Sequence, residues 1–252
     1  MNHTRHRLVV LIALSFATLI GGCSRARTAP NQDASLGGDL VSFTTEDGVT
    51  LRGHLYGRGT NGIILAHMYP ADQSDWTDFA QVLSAHGYQA LTFDFRGFTE
   101  SDGSLEVHNA DRDLQAAYDF MKLRVARMFL AGASMGADAS ILVATREPVA
   151  GVILLSTPIR FRGLDVEQAI TRVNAPMLFI ESAGDVLVAG EPQILFRSAH
   201  PPKYLKVFPG AAHGTSILRG PYAPQVQSLI LRFIEDHSAG AAQANVRTSS
   251  KS

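Results

Sequence analysis

The sequence predicts an α/β fold built on a mostly parallel, doubly wound sheet. Short, nearly continuous apolar runs alternate with segments of helical periodicity from about residue 62 to residue 235. Strands that are apolar on both faces indicate a parallel sheet with helices on both sides, joined by right-handed crossovers. A turn signal, Glu46-Asp47-Gly48, between two strand-like segments adds an antiparallel hairpin at the amino-terminal end of the sheet.

The predicted elements follow one another in a regular order. The hairpin contains strands over residues 40–44 and 50–56, and the later apolar runs predict strands over 62–66, 90–95, 128–131, 152–155, 177–180 and 205–208. Helices are predicted over residues 76–86, 109–122, 135–145, 192–198 and 224–235. Because the carboxyl ends of parallel strands meet at one edge of a sheet, we expect ligands to bind at that edge.

Residues 1–22 have the composition of an export signal peptide. A basic start precedes an apolar run over residues 8–20 that is too short to span a bilayer comfortably. The run leads into Gly21-Gly22-Cys23, which is similar to a bacterial lipobox, and that likeness implies a lipid on Cys23 and a membrane anchor. The alternative is that Cys23 merely ends an ordinary signal peptide or a membrane-spanning anchor. We expect an exported protein held in the cell envelope.

The rest of the chain divides into a tether, one domain and a tail. Residues 23–38 are poor in large apolar side chains, as a flexible tether is. Residues 39–237 suffice for one domain with a substantial core and are too few for two. Residues 238–252 are small and polar, and they are predicted to be disordered.

Composition excludes several classes of function. The formal net charge is -1 with acidic and basic residues interspersed, so no basic patch is available for a nucleic-acid backbone. Cys23 is the only cysteine, which excludes a disulfide framework and a cysteine metal site within the chain. No zinc-protease or phosphate-loop pattern occurs, so the sequence implies no metal and no cofactor.

A candidate nucleophile lies in the segment Gly132-Ala133-Ser134-Met135-Gly136. This segment follows an apolar run and precedes a predicted helix, which is the strand, turn and helix context of a nucleophile elbow. Such a turn holds the serine in a strained conformation, and the residues two before and two after it must be very small. Gly132 and Gly136 satisfy that requirement, so Ser134 is the predicted nucleophile.

A serine nucleophile needs a base, and the base needs a carboxylate that fixes its tautomer. Asp185 follows the strand over residues 177–180, and His213, flanked by Ala212 and Gly214, follows the strand over residues 205–208. Two alternatives stay open for the acid: Glu181 takes its place, or Asp185 is only a turn residue bonded to its own backbone. For His213 the alternative is a loop histidine without a catalytic role.

The chain order Ser134, Asp185, His213 is the order found in α/β-hydrolases. With residues 93–101, which are similar to the strand and loop that precede the elbow in that family, it makes residues 43–234 resemble the α/β-hydrolase superfamily. The likeness is greatest to its dienelactone-hydrolase-like and small-esterase branches. It implies the α/β-hydrolase fold, a catalytic triad of these three residues and no cofactor.

A tetrahedral oxyanion needs two preorganised N–H donors. The N–H of Met135 is predicted to be the first, and the second is expected from the loop His67-Met68-Tyr69. Many relatives carry glycine where this chain has Met68, so Tyr69 is the first choice and Met68 the second, with a pocket-lining ring as the alternative role of Tyr69. The resemblance implies that His67 organises this loop.

Two further acidic residues receive structural interpretations. Ser74 or Asp75 is predicted to cap the helix over residues 76–86. Asp138 lies in the first turn after the elbow, where a helix dipole stabilises a carboxylate. A role in substrate binding is the alternative for Asp75, and Asp138 is assigned no chemistry.

These features predict a serine hydrolase that cleaves an ester, thioester or lactone through an acyl-enzyme. Its partners are then a small-molecule ester and, through Cys23, a membrane. The alternatives are an amide or carbon–carbon hydrolase, and an inert surface lipoprotein that uses the hydrolase scaffold for binding. The connection over residues 157–176 holds two or three helical turns at most, so the cap is minimal and short acyl groups are expected.

Overall fold

The structure, a computed structural model, describes residues 37–238. Its strands are β1 (Asp39–Thr44), β2 (Thr50–Tyr56), β3 (Asn61–Ala66), β4 (Gln89–Phe93), β5 (Arg127–Ala133), β6 (Gly151–Leu155), β7 (Arg160–Phe161), β8 (Leu164–Asp165), β9 (Met177–Ser182) and β10 (Lys203–Phe208). Its helices are α1 (Thr77–Ala85), α2 (Ala110–Lys122), α3 (Met135–Ala144), α4 (Glu191–Ser198) and α5 (Ala223–Ser238). Short 3-10 turns cover Gln73–Trp76, Val107–Asn109, Ala169–Arg172 and Gly214–Leu218.

Eight of the strands form one sheet in the order β1-β2-β4-β3-β5-β6-β9-β10. The six strands from β4 to β10 along this order are parallel, whereas β2 is antiparallel to β4 and to β1. Ala66 at the end of β3 pairs with Phe93 of β4 and Gly132 of β5. The loops that leave these strands therefore start side by side at one edge of the sheet.

The sheet separates two apolar cores, because successive side chains of a strand point to opposite faces. In β3, Ile64 packs in the core formed with α2 and α3, whereas Ile63 and Leu65 pack in the core formed with α1 and α5. All three side chains are fully buried. This two-sided burial explains why the parallel strands lack an alternating polar pattern.

The predicted fold is confirmed, and the predicted strands and helices lie within a few residues of the observed ones. The connection after β6 is a finding of the structure. It contains the two-residue strands β7 and β8 and one 3-10 turn, Ala169–Arg172, where the sequence allowed two or three turns of helix. The missed signal is Arg162-Gly163, a two-residue hairpin turn with positive φ angles of 45° and 97°.

The predicted cap of the helix that begins near residue 76 is wrong. Asp72 takes that role, since its side chain accepts a hydrogen bond of 2.9 Å from the backbone N–H of Ser74. A 3-10 turn precedes α1, so the capped end lies earlier than the apolar pattern indicated. Asp75 instead accepts one hydrogen bond from the Thr215 hydroxyl at 2.6 Å and forms an ion pair with Arg219 at 2.9 Å.

Several predictions fall on parts of the chain outside residues 37–238. The export signal, Cys23, nearly all of the tether and the tail from residue 239 onward lie there. Within the described range, α5 continues to Ser238, and no helix has the length and apolar character needed to cross a membrane. That range also holds no cluster of three or more metal-ligating side chains.

Candidate active site

Ser134 occupies a sharp turn between β5 and α3. Its backbone has φ 48° and ψ -112°, a conformation that L residues rarely adopt and that persists only where the surroundings enforce it. Its N–H donates to Leu155 O at 2.9 Å, and its carbonyl accepts from Ala137 and Asp138 in the first turn of α3. These three bonds hold the turn on both sides, and the serine is 4% exposed.

The two glycines of the elbow are required by close backbone contacts. A Cβ on Gly132 would lie 2.1 Å from Gly136 O, and a Cβ on Gly136 would lie 2.2 Å from Ala66 O. Neither backbone oxygen can move without displacing the strand or helix to which it belongs. The tight packing of α3 against β3 and β5 therefore depends on glycine at both positions.

We expect Gly136→Ala to lower the free energy of unfolding by about 3 kcal/mol, because the new methyl group overlaps the backbone of β3. Urea denaturation followed by circular dichroism measures this loss. Gly220→Ala is the matched control, since a Cβ there would meet its nearest atom at an ordinary 3.7 Å. Equal stability of the two variants would contradict the packing argument.

His213 and Asp185 are joined by a hydrogen bond at the same edge of the sheet. His213 Nδ1 lies 2.8 Å from Asp185 Oδ2. An ionised carboxylate only accepts, so Nδ1 carries the proton and Nε2 of the neutral ring keeps a lone pair. The imidazole is thus held in the tautomer that a general base needs.

The His213 loop lies directly beside the elbow. A Cβ on Gly214 would lie 3.4 Å from the Cβ of Ala133, the residue before Ser134. The Gly214 N–H donates to the hydroxyl of Ser156 at 2.9 Å, which ties this loop to the end of β6. Ser156 has a positive φ of 49° and was not singled out from the sequence, since only its place at a strand end hinted at a role.

Glu181 is placed differently from Asp185. It lies within β9, is buried, and accepts a hydrogen bond from the side-chain amide of Gln193. Burial, and then the negative charge of Asp185, raise the pKa of Glu181. Among the described residues, the carboxylate bonded to His213 is that of Asp185.

His67 fixes the loop that follows β3. Its Nδ1 lies 2.9 Å from Met68 O, a pure acceptor, and its Nε2 accepts the backbone N–H of Phe95 at 3.1 Å. The ring is fully buried, and burial lowers its pKa, so His67 is a neutral Nδ1–H tautomer bridging two loops. This is the organising role that the resemblance implied.

The two candidate oxyanion loops meet the His213 loop. Met135 is the first residue of α3, where a backbone N–H has no acceptor within the helix. The Met68 sulfur lies 2.5 Å from the point that a Cβ on Gly214 would occupy. Since the Met68 carbonyl faces His67, the N–H of Tyr69 in the same peptide plane points to the opposite side.

Asp138 does not behave as the sequence predicted. Both carboxylate oxygens are buried and lack a hydrogen-bond partner among the described residues. Burial, together with the charges of Glu191 and Asp165, raises the pKa of Asp138 well above its usual range. Desolvation therefore outweighs the helix dipole, and the expected stabilisation of a charged carboxylate is wrong.

Comparison with known proteins agrees with this architecture. The family model described as "Serine aminopeptidase, S33" matches residues 61–164. A Mycobacterium tuberculosis (strain CDC 1551 / Oshkosh) protein described as uncharacterized is 27% identical over 242 residues, which cover 82% of this chain and 86% of that protein.

Solved structures show the same fold. The Pyrococcus furiosus esterase Pf2001 matches with a TM-score of 0.73 and 22% identity, covering 82% of this chain and 93% of that one. A thermophilic esterase from Thermogutta terrifontis matches with a TM-score of 0.66 and 18% identity, covering 80% and 100%. With its strand order and its elbow after β5, the chain therefore has the α/β-hydrolase fold.

Proposed function

We propose that the protein is a serine hydrolase that cleaves carboxylic esters of small or short-acyl substrates through an acyl-enzyme. The observation that carries this proposal is the hydrogen bond between His213 and Asp185, together with the packing of the His213 loop against the strained elbow of Ser134. Nucleophile, base and orienting acid thus come from three neighbouring loops at the carboxyl edge of one sheet.

Each residue then has a defined step. Ser134 Oγ attacks the ester carbonyl while His213 Nε2 removes the serine proton, and Asp185 stabilises the imidazolium that results. Collapse of the tetrahedral intermediate expels the alcohol, which takes the proton from His213 and leaves an acyl group on Ser134. Water activated by the same histidine releases the acid.

The oxyanion would be bound by backbone N–H groups of Met135 and Tyr69. Support for Met135 comes from its position at the start of α3, and support for Tyr69 comes from the peptide orientation that His67 imposes. Met68 is the second candidate for the loop donor. Donors fixed in advance stabilise developing charge without reorganisation during the reaction.

The comparisons favour two different reactions. The esterases among the structural matches favour ester cleavage, whereas the family model describes an aminopeptidase and favours amide cleavage. A triad serves both reactions, so the leaving group that the site accepts must be measured. An inert scaffold would instead bind ligands without labelling of Ser134.

A fluorophosphonate probe separates an enzyme from an inert scaffold. We expect labelling of the wild-type protein, with the adduct mapped to Ser134 by peptide mass spectrometry, and none of Ser134→Ala. A matched pair of 4-nitrophenyl butyrate and the corresponding 4-nitroanilide then compares ester with amide cleavage. Absence of labelling in folded protein would refute the proposal, and faster anilide cleavage would replace esterase with amidase.

The short connection after β6 sets an expectation for acyl length. Residues 157–176 form only the β7–β8 hairpin and one 3-10 turn, so they cannot enclose a long chain. We expect kcat/KM to peak among about C2 to C6 4-nitrophenyl esters, because each methylene without wall contact forfeits up to about 0.8 kcal/mol. A steady rise through long-chain esters below their micellar concentrations would show that another loop completes a deep pocket.

We also propose that Cys23 carries a lipid that anchors the exported protein in the cell envelope, as its lipobox-like surroundings suggest. Cys23→Ser is expected to move the protein from the membrane fraction to the soluble fraction of an expressing bacterium, because no other acyl anchor would remain. Ser24→Ala is a control that keeps the cysteine. An unmodified peptide spanning residues 22–24 in processed protein would contradict this assignment.

A further inference from the structure

The tip of the β7–β8 hairpin carries an arginine in an unfavourable backbone conformation. Arg162 has φ 45° and is followed by Gly163 with φ 97°. A two-residue turn with both φ angles positive favours Asn, Asp or Gly at its first position. Glycine avoids the strain of a Cβ, and the short polar side chains of Asn and Asp offset it by local hydrogen bonds. The longer side chain is therefore placed at a backbone cost that the turn itself does not require.

The guanidinium of Arg162 lies over an aromatic ring of the oxyanion loop. Its Cζ is 4.2 Å from the centroid of Tyr69, a cation–π distance, and 5.7 Å from that of Phe161. Tyr69 also packs edge-on against Phe98, with ring centroids 6.1 Å apart. Arg162 thus reaches from the cap to the loop whose peptide His67 fixes.

No acidic side chain neutralises Arg162 within residues 37–238. It forms no salt bridge or hydrogen bond there, although two carboxylates lie on the same hairpin and just after it. Those carboxylates belong to Asp165 and Glu167, and both pair with Arg160. One arginine of the hairpin is therefore occupied, while the other presents an unpaired cation.

A short chain of contacts connects this cation with the loop that carries His213. Tyr69, on which Arg162 rests, follows Met68, whose sulfur lies beside Gly214 and hence next to His213. An exposed guanidinium beside an aromatic ring is well suited to bind a carboxylate through two parallel hydrogen bonds. The near-zero net charge of the chain does not oppose such a local contact.

We infer that Arg162 is a specificity-determining residue that favours esters carrying a carboxylate on the portion extending past the Tyr69 ring. This inference rests on the proposed function, since it concerns substrates of the same site. It assigns the short hairpin a role in recognition: the hairpin does not enclose the substrate but supplies one cation at the rim.

Two pairs of substrates test this inference, each differing in one charge. Mono-4-nitrophenyl adipate against 4-nitrophenyl hexanoate places the carboxylate on the acyl side. The butyrate esters of 4-hydroxybenzoate and of 4-hydroxybenzamide place it on the alcohol side. The measured quantity is the ratio of kcat/KM for the charged ester to that for the neutral ester.

For at least one pair, Arg162→Gln is expected to lower this ratio about tenfold, because a charge-assisted contact is lost. Arg162→Lys should keep part of the preference, Arg162→Glu should lower it further, and about 0.5 M NaCl should weaken it in the wild type. Arg160→Gln is the matched control, since its guanidinium is already paired, and its ratio should match the wild type.

A change of less than about twofold in both ratios on Arg162→Gln would overturn the inference. The inference would also be overturned if the Arg162 variants lost kcat/KM equally for charged and neutral esters and the ratio did not fall in the order Lys, Gln, Glu. Arg162 would then act only by stacking on Tyr69. Ser134-dependent turnover of the neutral esters in either case would leave the proposed function intact. Absence of any Ser134-dependent turnover would refute both.

Discussion

Ser134→Ala and His213→Ala are each expected to reduce kcat by about 10⁴ or more, and the double variant should be scarcely worse than either one. The reason is that nucleophile and base act as one unit, so that removing either abolishes the attack. Steady-state ester hydrolysis by freshly purified protein measures the effect, with wild-type active sites counted by fluorophosphonate titration and the variants normalised to their concentration of folded protein.

The control for this prediction is stability. The Ser134→Ala variant would keep the backbone hydrogen bonds that hold the turn and lose one side-chain oxygen, so its melting temperature should stay close to that of the wild type. Near-wild-type turnover by Ser134→Ala would remove Ser134 from the mechanism. Additive losses in the double variant would show that His213 acts on a step that does not involve the serine.

Asp185→Asn is expected to reduce kcat by about 10² to 10⁴ with little loss of stability. The amide donates where the carboxylate accepted, so Nδ1 of His213 becomes the acceptor and the ring takes the tautomer with its proton on Nε2. A protonated Nε2 can no longer act as a base. The pH dependence of kcat in wild type and variant provides the measurement.

Glu181→Gln is the matched comparison for the acid. Glu181 is bonded to Gln193 and shows no bond to His213, so its amide variant should lose far less activity than Asp185→Asn. A larger loss in Glu181→Gln would transfer the orienting role to Glu181.

The elbow shows why the sequence was informative about the nucleophile. A chain that turns from β5 into α3 in one residue needs glycine at 132 and 136, and the predicted reason matches the contacts of 2.1 Å and 2.2 Å. The parallel strands were equally predictable, because burial on both faces leaves a continuous apolar run such as residues 62–66. Both features depend on neighbours in the chain or on local pattern.

The connection over residues 157–176 and the start of α1 show where the same reasoning fails. The hairpin of residues 160–165 has strands of only two residues, too short for any periodic pattern. Asp72 was missed as a cap because the 3-10 turn of Gln73–Trp76 shifts the capped end away from the apolar stripe of α1. Asp138 was misjudged because a local helix dipole is visible in sequence, whereas complete burial is not.

The sequence by itself determined the order of strands and helices, the strained turn at Ser134, and the positions of candidate acids and bases at strand ends. Only the tertiary structure decided that Asp185 and not Glu181 contacts His213, that His67 is held as a neutral bridge, and that Arg162 rests unpaired on Tyr69. Local backbone preferences and burial patterns are written along the chain. Contacts between loops of different strands depend on three-dimensional packing, which brings together residues that are far apart in the sequence.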